Sequence, residues 1–149
     1  MTKQASTPVI FQTLTEIGII QQLALSQLEH SLPDGLKASQ FAVLNHLARM
    51  KGEWSPLRLA SAMQVTKGAM TNTLQRLEKR GLIVIVNDAS DGRKKMVNIT
   101  SKGHETRSTC IANIVPLLTE ISEEISAEEI SHMLPTLEKL RKFLDAKRD

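Results

Sequence analysis

The chain has 149 residues, a net charge of +3, only 3% aromatic residues and a single cysteine. That length buries a core without covalent staples, and a lone Cys110 excludes an internal disulfide. The start lacks a secretory pattern and no apolar run approaches the roughly 18–20 residues of a bilayer span, so the expectation is a cytoplasmic protein with no membrane association.

Charge is unevenly spread. Thr66 to Lys95 holds seven cations against Glu78, Asp88 and Asp91, a net +4, so the basic character belongs to one stretch. Glu120, Glu123, Glu124, Glu128 and Glu129 form an acidic tract that would repel a phosphate backbone.

Residues 1–8 are polar and aperiodic and are expected to be loose. From Val9 to Leu32 apolar residues recur at helical spacing, and Phe11, Ile19, Ile20 and Leu23 widen the stripe, so this helix is expected to bury two sides. Pro33, Asp34 and Gly35 make a turn. Ser39 reads as the N-cap of a second helix that buries Phe41, Leu44, Leu47 and Ala48 and stops near Gly52.

Ser55 is an N-cap with Pro56 at the first helical position, where its missing N–H costs nothing. Gln64 and Val65 allow only a tight turn before Thr66, a second N-cap, opens the helix Lys67 to Arg80, which Gly81 ends. Two short helices so joined are a helix-turn-helix candidate. "LIVIV" and "KMVNIT" flank the polar "NDASDGRK" and read as a hairpin with a projecting loop. Gly92 is expected to turn its tip with positive φ, and Asp91 to orient Arg93. Ile111, Ile114, Leu118, Ile121 and Ile125 alternate spacings of three and four, the seam of a coiled coil. Ser126 and Glu129 form a capping box for a last helix expected to bury Ile130, Met133 or Leu134, Leu137, Leu140 and Leu144, with kinks or breaks at Pro116 and Pro135.

At about 100° per residue, Met70, Leu74 and Leu77 share one side of the helix after Thr66. Gly68, Asn72, Gln75 and Lys79 share the other, flanked by Thr71 and Arg76. Asn and Gln can pair bidentately with adenine and Lys can reach guanine, while Arg76, Lys79 and Arg80 suit phosphates.

"SPLRLASAMQVTKGAMTNTLQRLEKRGLI" and "DASDGRKKMVNITSKG" resemble the multiple-antibiotic-resistance regulator (MarR) family of winged-helix transcription factors, over about Val9 to Leu144. The resemblance implies a mainly α fold: a winged helix-turn-helix with a small β-hairpin wing and long N- and C-terminal dimerisation helices. The corresponding division is 1–35 for the tail and first dimerisation helix, 36–101 for the DNA-binding domain and 102–149 for the C-terminal dimerisation helices. It also implies a dimeric repressor on a palindromic operator, released by a small aromatic or phenolic anionic ligand. Lys67, Gly68, Thr71, Asn72, Gln75 and Arg76 fall where the family contacts the major groove, and Arg93 where a wing arginine enters the minor groove, with Lys94 and Lys95 on the backbone. Ser55, Thr66, Lys79 and Arg58 complete the candidate DNA-binding set; the family commonly has an acid where this chain has Arg58, and a second wing arginine where it has Ser90.

The alternative is a winged-helix protein-interaction adaptor without specific DNA binding, since fold alone does not fix function. No Gly-x-Ser-x-Gly elbow, phosphate-cradling glycine loop or His-Glu-x-x-His occurs, so no enzyme is expected. The four histidines lack metal-ligand spacing, leaving His46 and His104 the pair to inspect, and no metal or cofactor is expected. Cys110 reads as a buried structural thiol.

Overall fold

A computed structural model describes residues 3–148 and contains, among them, six α-helices, a 3₁₀ turn and one antiparallel hairpin. It forms two compact units, one ending at Ile114 and the other beginning at Val115.

In the first unit, α1 spans Thr7–Ser31, so Thr7 and Pro8 are helical rather than loose. Proline fits that first turn, where its N–H would be unbonded anyway; Met1 and Thr2 lie outside the described residues. Within one chain the expected burial of two sides does not occur: α1 has no buried residue, and Phe11 and Leu23 stay 73% and 63% exposed. By length and composition α1 is also apolar enough to cross a membrane, with a mean hydropathy of 1.2 over an 18-residue window. The reading of the sequence looked for an uninterrupted run, which polar residues such as Gln12 and Thr13 break; Val9, Ile10, Ile17, Ile19 and Ile20 still hold the mean at 1.2.

After the turn at Pro33–Gly35, α2 runs Ala38–Arg49. Its cap is not Ser39. The Ala38 N–H donates to Oε1 of Glu29 from α1 at 3.1 Å, and Gln40 Oε1 accepts from the Lys37 N–H at 3.0 Å. A carboxylate on the positive end of α2 does the work expected of the serine. Helix α3 (Pro56–Met63) and helix α4 (Lys67–Lys79) start as their caps dictate, with Ser55 Oγ accepting from Arg58 N–H and Thr66 Oγ1 from Ala69 N–H, both at 3.1 Å. Gln64, left-handed at φ 61°, makes the turn between them. Gly81, at φ 75°, lets the Leu82 N–H return to Leu77 O and its own to Glu78 O, closing the last carbonyls of α4.

Strands β1 (Ile83–Asn87) and β2 (Lys95–Ile99) pair from Ile83 opposite Ile99 to Asn87 opposite Lys95. The core gathers Leu36, Val43, Leu44, Leu59, Leu74, Leu77, Ile83 and Cys110, with Phe41 and Leu47 half-buried against it. Helix α5 (Ser101–Glu124) leaves the hairpin through Gly103, where a Cβ would strike the Leu82 carbonyl.

In the second unit α5 ends and α6 (Ala127–Asp145) begins behind a capping box: Ser126 Oγ accepts from Glu129 N–H and Glu129 Oε1 from Ser126 N–H, each at 3.1 Å. Pro116 and Pro135 do not break their helices. Each removes one N–H from a ladder that neighbouring turns hold. Helix α6 has no buried residue either, so Ile130, Met133, Leu134 and Leu144 are exposed rather than buried, and Leu137 and Leu140 are only half-covered.

Candidate nucleic-acid interface

Met70, Leu74 and Leu77 are 2%, 2% and 0% exposed, which fixes how α4 sits on the core and turns its polar arc outward. Lys67, Gly68, Thr71, Asn72, Gln75, Arg76 and Lys79 are all exposed there. Thr71 Oγ1 spends its hydrogen on Lys67 O at 2.9 Å, so toward a ligand it is an acceptor. Asn72 Oδ1 accepts from Arg76 Nε at 3.3 Å, which leaves the amide donors open. The hydroxyls of Ser55 and Thr66 act as acceptors in their caps, so each retains a donor.

An open cleft of about 630 Å³ separates α4 from the hairpin; Lys67, Thr71 and Gln75 line one wall, Ile85, Arg93 and Lys95 the other, and Pro56 and Leu57 one end. The structure therefore brings these helix and hairpin candidates together. Arg76 and Lys79 belong to the opposite flank of α4, beside Gln40 and Arg80. Lys94 does not line the cleft, and neither do Ser55 and Arg58. The Arg58 guanidinium lies over the Trp54 ring, 4.0 Å from its centroid, and donates to the Glu53 carbonyl at 2.6 Å. Where the family has an acid, this chain stacks a cation on its one tryptophan.

The hairpin tip corrects one expectation. Gly92 does not have positive φ; two side-chain turns shape the loop instead. Asp88 Oδ1 accepts from the Ser90 N–H at 2.9 Å and the Ser90 hydroxyl at 2.8 Å, and these bonds lower the Asp88 pKa. Asp91 Oδ1 accepts from the Arg93 N–H at 3.1 Å and from Arg93 Nε at 3.3 Å. Local carboxylates thus do what the glycine was expected to do. The Arg93 side chain remains 93% exposed, with Asp91 orienting it.

Sequence reasoning missed two anchors of the hairpin. The Val97 N–H on the outer edge of β2 donates to Trp54 O at 2.8 Å, and the Ile85 N–H on the outer edge of β1 donates to Glu78 Oε2 at 3.1 Å. His46 packs edge-on to Trp54, with centroids 4.1 Å apart; burial first, then Arg58 and Arg49, lowers its pKa. Among the described residues no cluster of three His, Cys, Asp or Glu side chains is placed to hold a metal. Cys110 is fully buried, and burial pushes its thiol up.

Residues 34–94 match the MarR family model. The fold is similar to that of the transcriptional regulator BldR from Sulfolobus solfataricus, at 22% identity over 93% of this chain and 99% of that one, with a TM-score of 0.83. It is also similar to a mutant MarR from E. coli complexed with operator DNA, at 24% identity over 92% and 99%, TM-score 0.79. A MarR-family transcriptional regulator from Rhodococcus sp. RHA1 shares it at 24% identity over 93% and 97%, TM-score 0.75. At such identities these likenesses speak to the fold, which is the mainly helical winged architecture the sequence implies. The helix-turn-helix, β1 and the hairpin loop fall inside the matched segment, so residues 34–94 are those of a MarR-family winged helix-turn-helix, and that family is one of transcriptional regulators rather than enzymes.

Proposed function

We propose that this protein is a dimeric, sequence-specific DNA-binding repressor of the cytoplasm, with α4 as recognition helix and the β1–β2 hairpin as wing. The observation that carries this reading is the convergence of Lys67, Thr71 and Gln75 with Arg93 and Lys95 about one open cleft. Helix α4 has 13 residues, about 20 Å of rod, and its polar arc fits a major groove roughly 12 Å wide. Asn72 and Gln75 read base edges; Ser55, Arg58, Thr66, Arg76, Lys79, Lys94 and Lys95 hold phosphates; Arg93 enters the flanking minor groove. Gly68 supports the same reading, because a Cβ there would meet nothing within 4 Å. The missing Cβ leaves the backbone at this exposed position open to close approach by a duplex.

Dimerisation through the first helix and the C-terminal helices gives two recognition helices, which matches a palindrome with half-sites about one helical turn apart. The domain division is then 1–35 and 102–149 for dimerisation and 36–101 for DNA. A second cleft of about 450 Å³, edged by Lys79, Arg80 and Lys102, suits the small anionic effector that would release the repressor.

Selection from a random duplex pool tests this. The expected result is one palindromic sequence, retained at moderate salt, released at high salt and preferred over random duplex. Recovery of unselected sequence, with no salt-sensitive retention, overturns the reading in favour of a protein-interaction adaptor.

A further inference from the structure

Glu78 is an unexpected residue for the place it occupies. Its carboxylate lines the cleft shared by Lys67, Arg93 and Lys95, where a polyanion would have to pass, so its charge opposes binding. It nevertheless holds one bond that joins α4 to β1, from the Ile85 N–H to Oε2 at 3.1 Å. A two-stranded hairpin is marginal by itself, and an outward N–H on its edge needs an acceptor. On the other edge Trp54 O supplies one to Val97.

Resting on the DNA-binding reading above, we propose that Glu78 is a positioning residue for wing recognition: it fixes the wing's angle to the recognition helix and thereby aims Arg93 into the minor groove. The bond is solvent-exposed and contributes little to global stability, so its effect lies in orientation. Ile85 is half-buried and pairs with Val97, three residues from the end of a loop whose tip carries Arg93; a small rotation at Ile85 is magnified there.

The test uses the duplex selected from the random pool, made with A·T-rich or G·C-rich flanks, and the full-length protein. E78A should lose the flank preference while keeping the preference for the selected core over random duplex. E78Q should keep both, because the amide oxygen still accepts from Ile85. In the Arg93→Ala background, E78A should add no further loss of flank preference, since both changes act on one contact. In the unmodified parent, the Ile85 amide should exchange slowly with solvent, a readout independent of any variant's folding. A selective parent whose E78A variant retains the flank preference, an E78Q that loses it, or a rapidly exchanging Ile85 amide would each overturn this inference alone. A parent that prefers no duplex overturns the DNA-binding reading and this inference with it.

Discussion

Asn72 and Lys79 share nearly the same angle on the outward arc of α4, two turns apart, yet their chemistry separates them. An amide offers a paired donor and acceptor that match adenine; an ammonium is a point charge that any phosphate satisfies. Asn72→Ala should cost about 1–3 kcal/mol on the selected operator and almost nothing on random duplex. Lys79→Ala should weaken both alike and reduce the salt slope by about one. Anisotropy titrations on the two duplexes separate the outcomes; equal losses for Asn72→Ala would remove it from the reading face. His46 poses a different residue-scale question. Its folded pKa lies below the ordinary 6.5, because burial, Arg58 and Arg49 all oppose its charge. As pH falls through about 6.5 the unfolded chain therefore takes up the proton first, and the stability present above that pH is lost until the folded pKa is passed. Thermal melts from pH 7.5 to about 5 should show a decline that His46→Gln makes shallower. Emission from Trp54, the sole tryptophan, should report the same loss; an unchanged slope in the variant would exclude His46 as the cause.

At the scale of elements, the helix-turn-helix and its wing differ in what holds them. Helix α4 is set by short-range chemistry, with Thr66 three residues before the N–H it caps and Gly81 directly after its last turn. Those ends were legible because the interacting groups are near neighbours in sequence. The cap of α2 was not, since Glu29 reaches Ala38 from another helix. The wing was half legible: its strands follow from β-branched runs, but its tip is turned by Asp88 and Asp91 rather than Gly92, and its edges are tied to Glu78 across the helix end and to Trp54 far back in the sequence, contacts with no local signature. The reading face of α4 was legible from periodicity alone, whereas the cleft uniting it with Lys95 and Arg93 is a product of tertiary structure. The tip geometry makes the wing testable. Asp91 holds the Arg93 guanidinium through Nε, so this bond does not occupy its two terminal amino groups, and the side chain is 93% exposed. An exposed pair of this kind adds under about 1 kcal/mol to stability, so its use is orientation. Arg93→Lys should preserve fold and assembly but lose affinity chiefly for operators with A·T-rich flanks, because an ammonium is more strongly hydrated and enters a narrow groove at greater cost. If Arg93→Lys binds all flanks as well as the parent, the wing is a phosphate clamp.

The whole molecule carries far more apolar surface than one chain can cover. Helix α1 has 25 residues and none buried; α6 has 19 and none buried. Along α5, Ile111, Leu118 and Ile121 are 38%, 56% and 45% exposed at coiled-coil spacing. Contiguous apolar patches of this kind mark association surfaces, and helices that cannot bury a face do not stay helical alone in water. Length and composition would also let α1 enter a bilayer. The seam on α5 is apolar surface outside that one span, however, and the proposed dimer would supply faces of the same period to cover these helices. Folding and association are then one equilibrium, so the melting temperature should rise with protein concentration. Leu118→Glu places a charge in the seam at a position that is 56% exposed within the chain. In an isolated chain that change would be neutral or helpful to solubility. Across a dimer it buries an unpaired carboxylate, at a cost of several kcal/mol that exceeds what most interfaces can absorb. The variant should therefore sediment as a monomer or lose its helical signal at micromolar concentration. A parent that is monomeric, fully folded and melts at a temperature independent of concentration would show instead that α1, α5 and α6 cover one another within one chain.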